Sequence, residues 1–336
     1  MERVGIWCAG NILVDNIKVI SDWPAPETLV LVEKTQLSPG GGAVNVALDL
    51  ARAVPGFPLY LGGKIGMDHF GDFLSDYFKQ YPINLNTIVR DDTAETPWTD
   101  VMTEKTTGKR TFFHHTGAAD YYAADDIMPF VQEMTAKIFY LAYPSLLKSL
   151  DAPDDEYGCK AGRVFKALKE QNFIVAMDCV SAATPDFFQN RILPALKNVD
   201  ILILNEYETQ LATNMAIDIH DKNTLSQALE FLAQKGPETV VIHYPKGAAV
   251  YHHGQMSFHY SYQVAQNEIK GSVGAGDAFS AGLLYGMHEG WAMDKIIDLA
   301  SAMARFNLTD LSATEGIKPL SEIENWQKTA PKYMTD

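Results

Sequence analysis

The chain has 336 residues, with 42 acidic against 27 basic side chains and a formal charge of −15. A hydrophobic fraction of 47% and a charged fraction of 21% exclude wholesale disorder, and a chain of this length buries about three quarters of its unfolded surface. So strong an acidic excess, with no block of Lys or Arg, excludes nucleic acid and an anionic membrane surface as partners, so any bound phosphate must be held by backbone dipoles, a metal or a few chosen cations.

In chain order, Met1-Glu2-Arg3-Val4-Gly5 runs directly into a strand rather than a cleavable leader. Val4–Cys8 reads as a buried strand. The segment Ile12–Leu37 is strand-like, with Asn16–Ile20 and Leu29–Thr35 around the turn-forming Pro24-Ala25-Pro26. An amphipathic helix follows over Gly42–Val54, then a strand at Leu59–Leu61 and a helix at Asp68–Gln80. Thr96–Gly117 has the form of a hairpin, with Trp98–Glu104 and Arg110–His115 flanking Thr106-Thr107-Gly108-Lys109. Beyond it lie strands Ile138–Ala142, Ile174–Met177, Asp200–Leu204 and Thr239–His243, and helices Gly162–Gln171, Thr224–Gln234 and Ala278–His288. The main strands are continuous apolar runs, as in strands covered on both faces. Strand–helix alternation predicts an α/β fold with a mostly parallel sheet and helices on both sides. The strands in 12–37 and 96–117 alternate polar and apolar residues, so they predict a small flap with one wet face. No repeat or linker divides the chain, which reads as one domain with an excursion. No apolar run reaches the ~18 residues of a membrane span. The three cysteines, Cys8, Cys159 and Cys179, fit neither a disulfide framework nor a Cys-x-x-Cys metal site, which predicts a cytoplasmic protein.

Chemistry concentrates in two glycine-rich strings. Gly271-Ser272-Val273-Gly274-Ala275-Gly276-Asp277-Ala278 precedes the helix ending at His288. Small residues before a helix let backbone N–H groups converge on an anion, and the helix dipole adds roughly half a positive charge. Asp277, at the same helix start, is placed to take a proton from an attacking hydroxyl; the plainer alternative is that it only caps the helix. Pro39-Gly40-Gly41-Gly42-Ala43-Val44-Asn45 also runs into a helix. There glycine permits close backbone approach to a ligand, and Asn45 offers both a donor and an acceptor. Asp15 lies beyond the first strand, where open α/β sheets bind ligands. A phosphate loop with Lys-Ser/Thr, a His-Glu-x-x-His pair and a dinucleotide fingerprint are all absent. His114 and His115 are adjacent on a strand, so they point to opposite faces and make a poor ligand pair.

These pieces, in this order, resemble the PfkB, or ribokinase-like, carbohydrate kinases over nearly the whole chain. The Gly-Gly cluster with Asn45 is similar to the family's N-terminal signature, Gly274-Ala275-Gly276-Asp277 to its C-terminal signature, and Asn205-Glu206-Tyr207-Glu208 to its Asn-x-x-Glu element. Gly66-x-Asp68 with Gly71 and Gly117-Ala118 fall in the expected order. The resemblance implies a ribokinase-like kinase domain over 1–336, with lid segments 12–37 and 96–117, that transfers the γ-phosphoryl group of ATP to a sugar or nucleoside hydroxyl. It implies Asp277 as general base and amides from Gly274, Ala275 and Gly276 to Asp277 as an anion hole. Asp15, Gly41 and Asn45 would hold the sugar. Asn205, Glu208, Gly247 and Asn307 would lie on the nucleotide side, with Glu208 helping to place Mg2+. It also implies a lid that in relatives often forms a dimer contact.

The sequence departs from the family in three places. Gly271-Ser272 stands where Asp-Thr is common, which leaves activation by a monovalent cation open. His243-Tyr244-Pro245-Lys246-Gly247 replaces the usual Leu-Gly-x-x-Gly on the nucleotide side, and Gly42-Ala43-Val44 replaces the Lys-Gly-Ala of ribokinase itself. A ribose- or fructose-like acceptor is the leading expectation. A nucleoside, stacked by Trp98, Phe112 or His114, is the alternative. A phosphosugar would need basic residues such as Lys34, Lys105 or Arg110. A weakly catalytic sugar-binding regulator is the reading from another class.

Overall fold

The computed structural model describes residues 3–334; Met1 and Glu2, where the leaderless start was expected, lie outside the described residues. From the N-terminal side, β1 (Ile6–Gly10) leads into β2 (Leu13–Ile20) and β3 (Val32–Gly40). Helix α1 (Gly42–Ala53), β4 (Leu59–Gly66), α2 (His69–Phe78), β5 (Ile83–Asp91) and the hairpin of β6 (Trp98–Glu104) and β7 (Arg110–His115) follow. The second half runs β8 (Ile138–Ala142), α3 (Lys160–Glu170), β9 (Ile174–Asp178), β10 (Ile201–Asn205), α4 (Glu206–Thr213) and α5 (Lys222–Ala233). It ends with β11 (Thr239–Tyr244), β12 (Gly247–His252), β13 (Gln255–Tyr260), α6 (Ala275–His288), α7 (Met293–Asn307) and α8 (Leu320–Gln327).

The main sheet has nine strands in the order β13-β12-β11-β10-β9-β8-β1-β4-β5. Every pair from β11 to β5 is parallel, and β12 and β13 extend the sheet as antiparallel strands. Side chains alternate across it: Ile6, Cys8, Ile138 and Tyr140 pack toward α1, α6 and α7, while Trp7, Phe139 and Leu141 pack toward α3 and α5. Both layers are apolar, which is why these strands read as unbroken hydrophobic runs.

The expected elements are present with shifted ends. β1 begins at Ile6 rather than Val4 because Gly5 takes φ +94, where a Cβ would strike Pro58. α6 starts three residues earlier than expected, at Ala275, because Gly274 serves as its N-cap. β5, β13, α4, α7 and α8 were not expected. β5 and β13 are edge strands with half-exposed patterns, so they lack the continuous apolar signal.

The lid is a separate four-stranded sheet, β3-β2-β6-β7. Its strands Trp98–Glu104 and Arg110–His115 have the expected bounds, but β3 lies at Val32–Gly40 rather than Leu29–Thr35, so it delivers the chain directly into the glycine cluster. The lid's root is fastened by Asp68, the N-cap of α2. Its carboxylate accepts from Gly71 N at 2.8 Å, Thr96 N at 2.7 Å and Thr96 Oγ1 at 2.7 Å. Asp68→Ala removes both the cap and the tether, and is expected to lower the unfolding free energy by about 2 kcal/mol. Urea denaturation measures this, and an unchanged midpoint would show that the lid root is held by other contacts.

Candidate active site

All the parallel strands point their C-terminal ends at one edge, so residues just past those ends share a crevice. Gly274, in the left-handed conformation (φ 79), turns the chain into α6. A Cβ on Gly274 would stand 2.5 Å from the Ala313 carbonyl oxygen and 2.9 Å from its Cα, so only glycine fits against that loop. The Ala275 amide reaches the Ser272 carbonyl at 3.4 Å. Among the described residues no protein acceptor takes the amide hydrogens of Gly274, Gly276 or Asp277. These groups, at the positive end of a 14-residue helix, are disposed to receive an anion.

Asp277, in the first turn of α6, is buried. Its Oδ2 accepts from Asn45 Nδ2 at 2.8 Å, and its Oδ1 accepts from the Tyr143 hydroxyl. The first of these contacts joins the two glycine-rich strings. Burial raises the Asp277 carboxyl above the ordinary carboxylate range, and the hydrogen bonds from Tyr143 and Asn45 pull it back toward the ionised form. Burial and the neighbouring Asp277 charge keep Tyr143 well above its usual range, so it remains a donor.

The acceptor side is built from three elements. Gly41 takes φ +96, and a Cβ there would fall on the Asn11 carbonyl oxygen. Gly40 lies against the Asp15 carboxylate and Gly42 against the Tyr143 ring, each so close that a Cβ would stand 2.5 Å from its neighbour. Asp15 is the third residue of β2, opposite Ser38 of β3 and Thr99 of β6. Burial pushes its carboxyl up to about 7, with the Arg110 charge opposing and the Asp277 charge adding. Asn11, just past β1, is fully buried with both side-chain polar atoms unpartnered among the described residues.

The other side is a cleft of about 550 Å³, reached by Asn205, His243, Gly247, Ser272, Gly276 and Arg305. The His243 ring stacks on Phe279 with centroids 5.1 Å apart, and burial lowers its imidazole to about 4, so it stays neutral. Asn205 and Glu208 form a reciprocal capping box on α4: Asn205 Oδ1 accepts from Glu208 N at 2.8 Å, and Glu208 Oε2 accepts from Asn205 N at 3.0 Å. Burial pushes the Glu208 carboxyl up to about 7, with Asn205's hydrogen bonds opposing and the charges of Glu206 and Asp277 adding. Asp178, at the end of β9, is raised well above the usual range by burial, then by Glu208 and Asp277; its Oδ2 accepts from Ser280 Oγ at 2.8 Å and Tyr140 OH at 3.2 Å.

Two expectations need correcting. Asn307 does not reach the cleft: it is fully buried, and its amide donates to the Ala313 carbonyl, fixing the loop on which Gly274 rests. Its place on α7, one residue before the cleft-lining Leu308, turns it inward. Trp98 lies on the opposite lid face from Asp15, because Asp15 pairs with Thr99, and its ring sits on His115 instead. Phe112 and His114 do share Asp15's face, and His114 Nδ1 is 2.9 Å from Thr99 Oγ1.

Comparison with known proteins decides the family. Residues 6–319 match the pfkB family carbohydrate kinases. The chain is 24% identical over 306 residues to a nucleoside kinase of Methanocaldococcus jannaschii, covering 91% of this chain and 90% of that one. It is 25% identical over 299 residues to a 5-dehydro-2-deoxygluconokinase of Clostridium beijerinckii, covering 86% and 84%. The chain belongs to the pfkB carbohydrate kinase family. The fold agrees: an Arabidopsis thaliana ribokinase, whose structure holds ribose and ATP, superposes with a TM-score of 0.80 at 21% identity, covering 98% of this chain and 99% of that one. The protein is accordingly a phosphotransferase with an alcohol acceptor. Among the described residues no helix is long and apolar enough to cross a membrane.

Sequence reasoning missed Tyr143, Asn11 and Asp178 as parts of this site. All three stand at or just past the C-terminal ends of parallel strands, a position that the strand assignments themselves mark. The Tyr143 contact has a measurable consequence. The role that the sequence resemblance implies for Asp277, a general base, is performed by the carboxylate, so in that role activity falls as pH drops through its folded-state pKa. Tyr143→Phe deletes a hydrogen bond that lowers that pKa, so the acid limb of the kcat profile is expected to move to higher pH. An unmoved limb would separate Tyr143 from the titration of Asp277.

Proposed function

We propose that this chain transfers the γ-phosphoryl group of ATP to a hydroxyl of a sugar, with Asp277 as the general base. The observation that carries the reading is the buried Asn45–Asp277 contact beside the unclaimed amides of the α6 turn, with Asp15 of the lid on one side and the 550 Å³ cleft on the other.

In this reading the acceptor lies under the lid against Asp15, Gly41 and Asn45, and its reacting hydroxyl approaches Asp277. Asn45 and Tyr143 already occupy both carboxylate oxygens as donors. The acceptor hydroxyl therefore takes the place of one of these donors as it binds, and gives its proton to the oxygen it meets. ATP lies in the cleft near Asn205 and Gly247, with its transferable phosphate toward the amides of Gly274, Ala275, Gly276 and Asp277. Charge spread over the phosphate oxygens meets fixed amide dipoles there, which is most of what phosphoryl transfer asks of a protein. Asn307 serves indirectly, through Ala313.

The donor set fits magnesium in the form that nucleotides bring it. Among the described residues no three His, Cys, Asp or Glu side chains converge as a metal cage. Magnesium, however, is commonly held by one or two carboxylates plus substrate phosphates and waters. Glu208 and Asp178 are buried carboxylates, both raised by burial, and the Glu208 charge raises Asp178 further, a penalty on the ionised forms that such an ion would relieve. When bound, magnesium would neutralise phosphate charge.

A nucleoside acceptor has its own support, from Phe112, 53% exposed on the lid face that Asp15 shares, and from His114 beside it. ATP consumption measured over pentoses, hexoses and nucleosides separates the two. Asp277→Asn, nearly isosteric, is expected to keep the fold and the KM for the acceptor while kcat falls about 10²–10⁴-fold. Turnover near that of the unaltered protein would remove Asp277 from the chemistry.

A further inference from the structure

Strand register fixes which lid residues look inward. Val19 of β2 pairs with Lys34 of β3 and Thr103 of β6, and Thr103 pairs with Arg110 of β7. All four lie on Asp15's face, because alternate residues of a strand share a face. Val19 is four residues beyond Asp15, or roughly 13 Å along the strand. The lid's inward face therefore carries a carboxylate near Asp277 and two cations farther out.

Those cations meet the body of the molecule across a cavity of about 250 Å³, where Lys34, Arg110 and Lys270 face Asp310, Ser312 and Glu315. Arg110 reaches back toward the α6 turn. Its Nη2 donates to the Leu311 carbonyl at 3.0 Å, and the same nitrogen stands 3.2 Å from where a Gly271 Cβ would be. Of its five N–H groups, that one alone finds a protein acceptor among the described residues. Asp310 is partly committed, since its Oδ1 accepts from Ser312 N at 2.8 Å. Three cations thus share a cavity with two carboxylates, with Asp15 on the same lid face also acting on Arg110, in a chain whose overall charge is −15. A neutral sugar gives such a grouping nothing to pair with, whereas a planar fork with free N–H groups matches a carboxylate or phosphate.

We propose that this cavity is a second anchor for the acceptor: Arg110, with Lys34 and Lys270, binds an anionic group, carboxylate or phosphate, carried at the end of the acceptor away from its reacting hydroxyl. The proposal rests on the reading of the protein as a sugar kinase and narrows its substrate class. Because Lys34 and Arg110 belong to the lid and Lys270 to the body, an anion between them also draws the lid shut over the acceptor, excluding water.

The test compares a neutral hexose, the corresponding sugar acid and the hexose monophosphate as acceptors, for the unaltered protein, Arg110→Gln and Lys34→Gln. The expected result is a kcat/KM at least about tenfold higher for a charged acceptor than for the neutral one, eroded by added salt. Arg110→Gln should cut the charged-to-neutral ratio by roughly 10–100-fold. Lys34→Gln, at an exposed lid position, should cut it in the same direction by less. Which charged acceptor is preferred identifies the anion. A neutral acceptor preferred by the unaltered protein, or a ratio unmoved by both variants, would overturn the proposal. Calorimetric binding of a charged acceptor, lost in Arg110→Gln but without phosphate transfer, would instead support the subsite and overturn the kinase reading.

Discussion

One buried hydrogen bond organises this molecule: the amide of Asn45 on the carboxylate of Asp277, across 232 residues of sequence. A carboxylate so far from water is costly unless its oxygens are occupied. Asn45 and Tyr143 occupy one each, and in doing so they fix the relative positions of α1, α6 and the end of β8. The glycines around it follow from that closeness. Gly41 passes the Asn11 carbonyl, Gly42 touches the Tyr143 ring, and Gly274 turns against Ala313, so each sits where a side chain would force these elements apart.

A second constraint is charge. A protein of formal charge −15 that handles a polyanionic nucleotide has to avoid repelling it. The structure meets this locally. The α6 turn presents amide dipoles rather than lysines, while burial raises the carboxyls of Asp178 and Glu208 above the ordinary carboxylate range and the Glu208 charge raises Asp178 further. The cations of the lid, Lys34 and Arg110, are instead gathered toward its outer end, where they share a cavity with Lys270.

Much of this was legible in the sequence, for identifiable reasons. Strands buried on both faces announce themselves as continuous apolar runs, so β1, β4, β8, β9, β10 and β11 and the mostly parallel character of their sheet could be read, though not their order in it. The glycine strings were legible because close approach and left-handed turns leave few alternatives to glycine. Edge strands such as β5 and β13 were hidden, since half-exposed residues lack that signal. Asn307 was misplaced because motif order does not say which way a helical side chain points; it props the Ala313 loop instead of lining the cleft. Trp98 was misplaced because a one-residue difference in strand register reverses the face. Tyr143 carries no motif, and its role emerges only once β8 and α6 are brought together.

The account depends most on Asn45 and Asp277 acting as one unit. A double-mutant cycle on kcat, with Asn45→Ala, Asp277→Asn and the pair, measures that directly. The predicted result is strong non-additivity: each single change costs much of the activity, and the pair costs little more than Asp277→Asn alone. Effects that simply multiplied would show the two side chains working independently, and would contradict the account.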